Sequence, residues 1–216
     1  MGVGMAVVKS DILKRGCEEV NLIIDKLIKA IIIPLLPFHI FGIFLNMTFA
    51  GQVAKILSVF AVVFILIIIM HWVMLSLQYG VAGILNGKNP LVLIKTMMPA
   101  YFTALGTQSS AATIPVTLQQ AKQTGASDKV TDFTIPLFAT IHLSGSTITI
   151  VTCAIGVMLM NGVEFSFATV IGFIFMLGVT MIAAPGVPGG AVMAAIGLLG
   201  SMLGFNETMI ALMIAL

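Results

Sequence analysis

Residues 105–118 read Leu-Gly-Thr-Gln-Ser-Ser-Ala-Ala-Thr-Ile-Pro-Val-Thr-Leu, a run of hydroxyls and small side chains inside an otherwise oily stretch. The arm before it, 91–107, is largely apolar, and the arm after it, 113–123, is too short to cross a bilayer, which takes ~20 apolar residues. Two short arms around a polar tip predict a re-entrant helical hairpin. Exposed backbone at membrane depth is tolerated only where it meets protein or a water-filled cavity. The tip is therefore expected to face something other than lipid. A second interruption follows at 140–147 and a third at 183–190. Three broken segments in succession point to a transport site more than to simple anchors.

Composition agrees. Of the 216 residues 59% are hydrophobic and 8% charged, against roughly 25% charged in a soluble domain. Nine of the eighteen Lys, Arg, Asp and Glu lie between Lys9 and Lys29, and residues 30–54, 56–87, 133–163 and 165–206 carry none. Each gap is long enough to span hydrocarbon. The expected fold class is an all-α polytopic membrane protein: transmembrane helices, two oppositely oriented re-entrant hairpins and a broken helix, arranged as an inverted-repeat transport core. The net charge of +2 gives no sign of nucleic acid as a partner. Cys17 and Cys153 are far apart, with neither disulfide nor metal spacing. No nucleophile stands beside a base, so the chain does not read as an enzyme and no cofactor is expected.

Read along its length, the chain divides into three parts. Residues 1–29 are the end of a preceding helix and a cytoplasmic amphipathic segment. The stretch 30–90 holds two transmembrane helices, at about 30–49 and 56–85. The transport core, 91–216, comprises a hairpin at 91–124, a broken helix at 133–160 interrupted over 142–147, a hairpin at 165–203 and the start of a last helix at 206–216. If both hairpins return to their own side, Lys9, Lys14, Arg15, Lys26, Lys29, Lys88, Lys95, Lys122 and Lys129 share one face and only Lys55 lies on the other. That bias makes the lysine-rich face cytoplasmic. The expected setting is the plasma (inner) membrane, with the lipid bilayer and a small-molecule substrate as partners.

Three motifs carry a family resemblance. Ser109-Ser110-Ala111-Ala112-Thr113-Ile114-Pro115-Val116-Thr117 resembles the serine-rich tip of the first hairpin in dicarboxylate/amino acid:cation symporters, the glutamate/aspartate transporter fold. Phe133-Thr134-Ile135-Pro136-Leu137-Phe138-Ala139-Thr140-Ile141 resembles the approach to that family's seventh helix, and Gly186-Val187-Pro188-Gly189-Gly190 the tip of its second hairpin, the external gate. Their order and spacing also match. The resemblance runs from the fifth helix to the start of the eighth. The family's first four helices, which help hold subunits in a trimer, are expected to be missing apart from the end of the fourth. The Asp and Arg of its eighth helix are expected to lie beyond Leu216.

The resemblance implies a secondary active symporter for an acidic or small neutral amino acid or a dicarboxylate, driven by Na⁺ or H⁺ through an elevator motion, and a homotrimer in the full-length protein. It implies substrate contacts from Gln108, Ser109, Ser110, Ser146, Val187, Pro188, Gly189 and Ala191. It places a cation at His142, Leu143 and Ser144, with no metal beyond Na⁺. The start of the half-helix near Thr113 adds a partial positive charge suited to a carboxylate. The family's Asn-Met-Asp-Gly-Thr stands here as His142-Leu143-Ser144-Gly145-Ser146, without the Asp. No Asp or Glu lies between Glu164 and Glu207 to replace it. Histidine titrates near neutral pH, so coupling is expected to lean on protons or on fewer sodium ions. Two other classes stay open: a non-transporting fragment or subunit of such a transporter, and a channel built on re-entrant hairpins.

Overall fold

The computed structural model describes residues 53–215 throughout, the helix at 33–49, and the scattered helical positions 12, 15, 16, 19, 23, 26, 30 and 31. The expected amphipathic segment at 1–29 therefore lies almost wholly outside the described residues. The chain divides into two units, Met1–Gln52 and Val53–Leu216. Within the first, α1 spans Ile33–Phe49 with Pro37 inside it.

The second unit is helical along its described length. It comprises α2 (Val53–Asn86), α3 (Pro90–Thr107), α4 (Ser110–Gln123), α5 (Asp128–Ile141), α6 (Ser144–Met160), α7 (Phe167–Met181), α8 (Gly190–Leu203) and α9 (Glu207–Ala215). Local chemistry sets most of the boundaries. Asn89 caps α3 through the Leu91 N–H at 2.9 Å, with Pro90 in the first helical position. Ser166 caps α7 through the Thr169 N–H at 3.1 Å, and Asn206 caps α9 through the Met209 N–H at 2.9 Å. Gly204, at φ 67°, ends α8, and the Phe205 N–H closes back on the Leu199 carbonyl at 3.1 Å.

Helix α6 is the centre of the packing. Its Ile150, Cys153, Ala154, Val157 and Met158 are buried, the i, i+3, i+4, i+7, i+8 stripe of one helical face. Phe173, Leu177 and Met181 of α7, Ala195 and Leu199 of α8, and Met209, Leu212 and Met213 of α9 are buried with them, and all three helices pack on α6. On the other side α2 crosses α6 so closely that a Cβ on Gly156 would fall 2.7 Å from Val63 Cγ2. Large apolar side chains point outward as well: Val62, Phe64, Ile65, Phe167 and Phe175 are all more than half exposed. Water would penalise that surface and hydrocarbon accepts it. Leu57–Asn86 and Asp128–Met160 are each long and apolar enough to span a bilayer.

The packing order fixes the arrangement of the hairpins. Helices α3 and α4 fold back on each other, and this first hairpin packs on α2 and α5. Helices α7 and α8 form the second, which packs on α6. Since α5 and α6 are the two halves of one interrupted span, the hairpins lie beside opposite halves and approach the interruption from opposite ends. That interruption is shorter than the sequence suggests. Only His142 and Leu143 leave the helix, and α6 resumes at Ser144.

Candidate functional site

The two hairpin tips touch. Ser109, the residue before α4, has extended backbone, and its hydroxyl oxygen accepts the Ala112 N–H at 3.2 Å as a helix cap. The same hydroxyl donates to the Gly186 carbonyl in the second tip at 2.7 Å, and the Ala111 N–H donates to that carbonyl at 3.2 Å. Gly186 sits so near that a Cβ there would lie 3.4 Å from the Ala111 nitrogen and 3.5 Å from the Ala139 carbonyl of α5.

Each tip is internally braced. In the first, Thr113 Oγ1 donates to the Ser109 carbonyl at 2.7 Å, and the Thr107 and Thr113 hydroxyls lie 3.0 Å apart. Gln108 ends α3 at φ 50° and is the one non-glycine residue with positive φ among those described. Its N–H returns to the Ala104 carbonyl at 2.9 Å and its side chain is exposed. That left-handed backbone costs a non-glycine residue free energy, and the hydroxyl bonds around it hold it in place. In the second tip Gly189 turns at φ 73°. A Cβ on Gly190 would fall 2.5 Å from the Pro185 carbonyl oxygen, so position 190 admits only glycine without movement.

At the interruption α6 begins without a side-chain cap, so its first N–H groups face the gap between the half-helices. His142 Nε2 lies 3.3 Å from Ser144 Oγ and 3.4 Å from Gln78 Nε2 of α2. The Leu143 carbonyl accepts both the N–H of Thr147 at 3.0 Å and its hydroxyl at 3.1 Å. One turn further, His71 Nε2 of α2 meets the Gly145 carbonyl at 3.1 Å and Thr149 Oγ1 at 3.3 Å. The carbonyl contact needs the Nε2–H tautomer.

The residues singled out from sequence thus fall into three places. Gln108, Ser109 and Ser110 form the first tip. Val187, Pro188, Gly189 and Ala191 flank the second, of which Gly186 makes the cross-contact. His142, Leu143 and Ser144 form the interruption, and Ser146 lies in the first turn of α6. The Leu143 carbonyl, expected to face a cation, is already spent on two donors from Thr147. Among the described residues no cluster of three or more His, Cys, Asp or Glu could hold a metal ion. Sequence reading missed His71, Gln78 and Thr149. His71 ties α2 to α6. The signal was present: His71 and Gln78 stand seven residues apart, two turns along one face of α2.

Beside the first tip lies a cavity of about 320 Å³ between α2, the first hairpin and α5. Ser110, Thr113 and Thr117 of α4 reach it, as do Trp72, Tyr79 and Tyr101. Trp72 and Tyr101 pack with ring centroids 5.5 Å apart.

Paired hairpins meeting at a broken span, in a helix bundle with a lipid-soluble surface, define the core of a polytopic membrane transporter. The chain matches the sodium:dicarboxylate symporter family over residues 1–216 and belongs to it. It is 29% identical over 163 residues to a serine/threonine transporter, SstT, of Streptococcus thermophilus, covering 75% of this chain and 40% of that protein. It is 33% identical over 153 residues to excitatory amino acid transporter 1 of Homo sapiens, covering 70% of this chain and 28% of that one. An SstT of Acinetobacter baumannii is 30% identical over 196 residues, 89% of this chain and 48% of its own. The chain thus spans between about a quarter and a half of the length of these relatives.

Proposed function

We propose that this chain forms the transport core of a secondary active symporter carrying an acidic or small neutral amino acid, or a dicarboxylate, with Na⁺ or H⁺. The observation that carries the reading is the Gly186 carbonyl held by Ser109 and Ala111. It closes the second tip onto the first beside the interrupted span. Three half-helices, α4, α6 and α8, begin in this region, and α3, α5 and α7 end there. N–H ends favour a carboxylate and C=O ends a cation, so one site offers both poles to a zwitterion and a coupling ion. Gln108, Ser109, Ser110 and Ser146 are the substrate-facing groups of the first hairpin and α6, and Val187, Pro188, Gly189 and Ala191 those of the second tip. Movement of both hairpins with the broken span across the membrane, as an elevator, fits a unit whose members pack on each other.

For the coupling ion, Ser144 and Ser146 supply neutral oxygens and no carboxylate. A cation there gains less compensation than an Asp would give, so we assign coupling to protons through His142 or to a reduced number of sodium ions. A homotrimer in the plasma (inner) membrane completes the reading, and cross-linking of the intact protein in its own membrane tests it.

The test is uptake of labelled serine, aspartate and succinate by the intact protein in proteoliposomes, under a Na⁺ gradient or a pH gradient. The reading expects saturable, stereoselective uptake of one of them, driven by one gradient. Flux that rises without saturation would make the protein a channel. Uptake indifferent to the pH gradient and lost without Na⁺ would exclude the proton.

A further inference from the structure

The turn between α2 and α3 builds a cation-lined cavity at the base of the first hairpin, away from the tips. Gly87 turns the chain at φ 63°, and the Lys88 N–H closes on the Gly83 carbonyl at 2.9 Å. Position 83 must be glycine, since a Cβ there would fall 2.6 Å from the Lys88 carbonyl oxygen. Lys88 is thus fixed at its backbone. Its ammonium reaches across to the far arm of the hairpin and donates to the Thr124 carbonyl at 2.5 Å. Gly125, at φ 80°, makes room, because a Cβ there would lie 2.7 Å from Lys88 Nζ.

That ammonium lines a cavity of about 210 Å³, together with Asn89, Thr96, Gln123 and Thr124. The two threonine hydroxyls are spent on helix carbonyls, Thr96 on Val92 at 2.9 Å and Thr124 on Ala121 at 2.6 Å. Two N–H groups of Lys88 and the side-chain amides of Asn89 and Gln123 remain as donors. No carboxylate lines the cavity. The acids near the hairpin base, Asp128 and Asp132, are engaged by Lys122 at 4.0 and 2.7 Å. One ammonium and two amide donors with no acid favour an anion.

Its surroundings say which anion. Ile84, Leu85 and Leu91 beside the turn are 81%, 78% and 74% exposed, an apolar flank that a phosphate from solution would leave unused. Lys95 follows in the second turn of α3, and Lys129 stands in the first turn of α5. Basic pockets at the cytoplasmic ends of membrane helices take lipid headgroups. We propose that Lys88, Asn89 and Gln123 bind the phosphate of an anionic phospholipid, with its acyl chains along Ile84, Leu85 and Leu91.

The test is lipid retention by the intact protein in detergent, measured by native mass spectrometry during titration with phosphatidylglycerol or phosphatidylcholine. The wild type retains phosphatidylglycerol in preference. Lys88→Gln weakens retention about fivefold, the worth of one lysine at an anionic surface. Gln123→Glu, which leaves the Lys88–Thr124 bond in place, also weakens it, and Lys95→Gln, outside the cavity, retains the preference. Equal retention of both lipids overturns the site. Equal weakening by Lys95→Gln reduces it to diffuse charge and overturns it too. Displacement of phosphatidylglycerol by equimolar inorganic phosphate overturns the lipid as its occupant.

Discussion

Ser109→Ala removes one of the two hydrogen bonds between the tips, together with the side-chain cap of α4. The hydroxyl does two jobs, accepting the Ala112 N–H at 3.2 Å and donating to the Gly186 carbonyl at 2.7 Å. Losing the cap costs about 1 kcal/mol in the first turn of α4. Losing the cross-tip bond costs about 1 kcal/mol more. The Gly186 carbonyl keeps the Ala111 N–H at 3.2 Å, so it is not orphaned and the larger penalty for a buried unpaired group does not apply. The cross-tip share alone should raise the open population of the tip about fivefold, since 1.4 kcal/mol is tenfold. Hydrogen exchange reads this directly, because the Ala111 amide is itself the other bond across the gap. In the variant the Ala111 amide exchanges about fivefold faster, and the Val157 amide, in the middle of α6, keeps its wild-type rate. Ser109→Thr, which keeps a hydroxyl, stays near wild type. Unchanged exchange at Ala111 would mean the hydroxyl does not hold the tips together. Equal acceleration at Val157 would mean the variant merely loosens the whole bundle.

Other positions separate close packing from free surface. Gly190→Ala puts a methyl 2.5 Å from the Pro185 carbonyl, and should lower thermal stability by about 1–3 kcal/mol as the tip backbone shifts. Gly156→Ala should cost a similar amount through Val63, at 2.7 Å. Gly178→Ala, in α7 with nothing within 4 Å, should stabilise by about 0.5–1 kcal/mol; melting curves of the purified variants check all three signs. His71→Ala should cost about 1 kcal/mol by breaking the α2–α6 tie, and His71→Gln should recover part of it in the same melts. The hydrogen bond that Lys122 donates to the Asp132 carboxylate raises the Lys122 pKa above the ordinary lysine value. Its contribution is therefore complete below that ordinary value and lost as pH rises through the raised one. Wild type and Asp132→Asn should converge in stability over that alkaline window, and added salt should shrink their difference at neutral pH.

The hairpins were legible because their signal is local. Hydroxyls at 107–113 and the Pro-Gly run at 185–190 interrupt apolar stretches too short to span, and nothing in a bilayer tolerates that cheaply except a folded-back pair of half-helices. The polar run at 142–147 misled in extent. Ser144, Gly145 and Ser146 look like helix breakers, but Thr147 satisfies the Leu143 carbonyl twice over, so the helix restarts at once. What sequence did not carry is the partner of each polar group. Nothing in the order of residues says that Ser109 caps its own helix and grips Gly186 77 positions away. The Lys88 site was illegible for the same reason: its meaning lies in Gly125, which looks like any turn glycine until the lysine is seen to pass over it.

The two serines of the first tip do different work, because Ser109 bonds across the gap to Gly186 and Ser110 does not. The acceptor at 186 is a backbone carbonyl, so it exists whatever side chain the second tip presents there. Specificity of the contact rests on the donors, Ser109 and the Ala111 amide, and on the absence of a side chain at 186 that would push the tips apart. Ser110 faces the neighbouring cavity instead and makes no bond across the gap. A carboxylate entering between the tips must offer the Ala111 N–H and the Ser109 hydroxyl at least what Gly186 offers them. A charged acceptor does so, because hydrogen bonds to an ionised oxygen are roughly twice as strong as neutral ones. A neutral amide analogue of the same shape does not. On that reasoning the neutral amide should leave Ala111 exchange as in the free protein, and the acid should displace Gly186 and slow that exchange, because a charged acceptor replaces a neutral one; unchanged exchange with the acid would refute it.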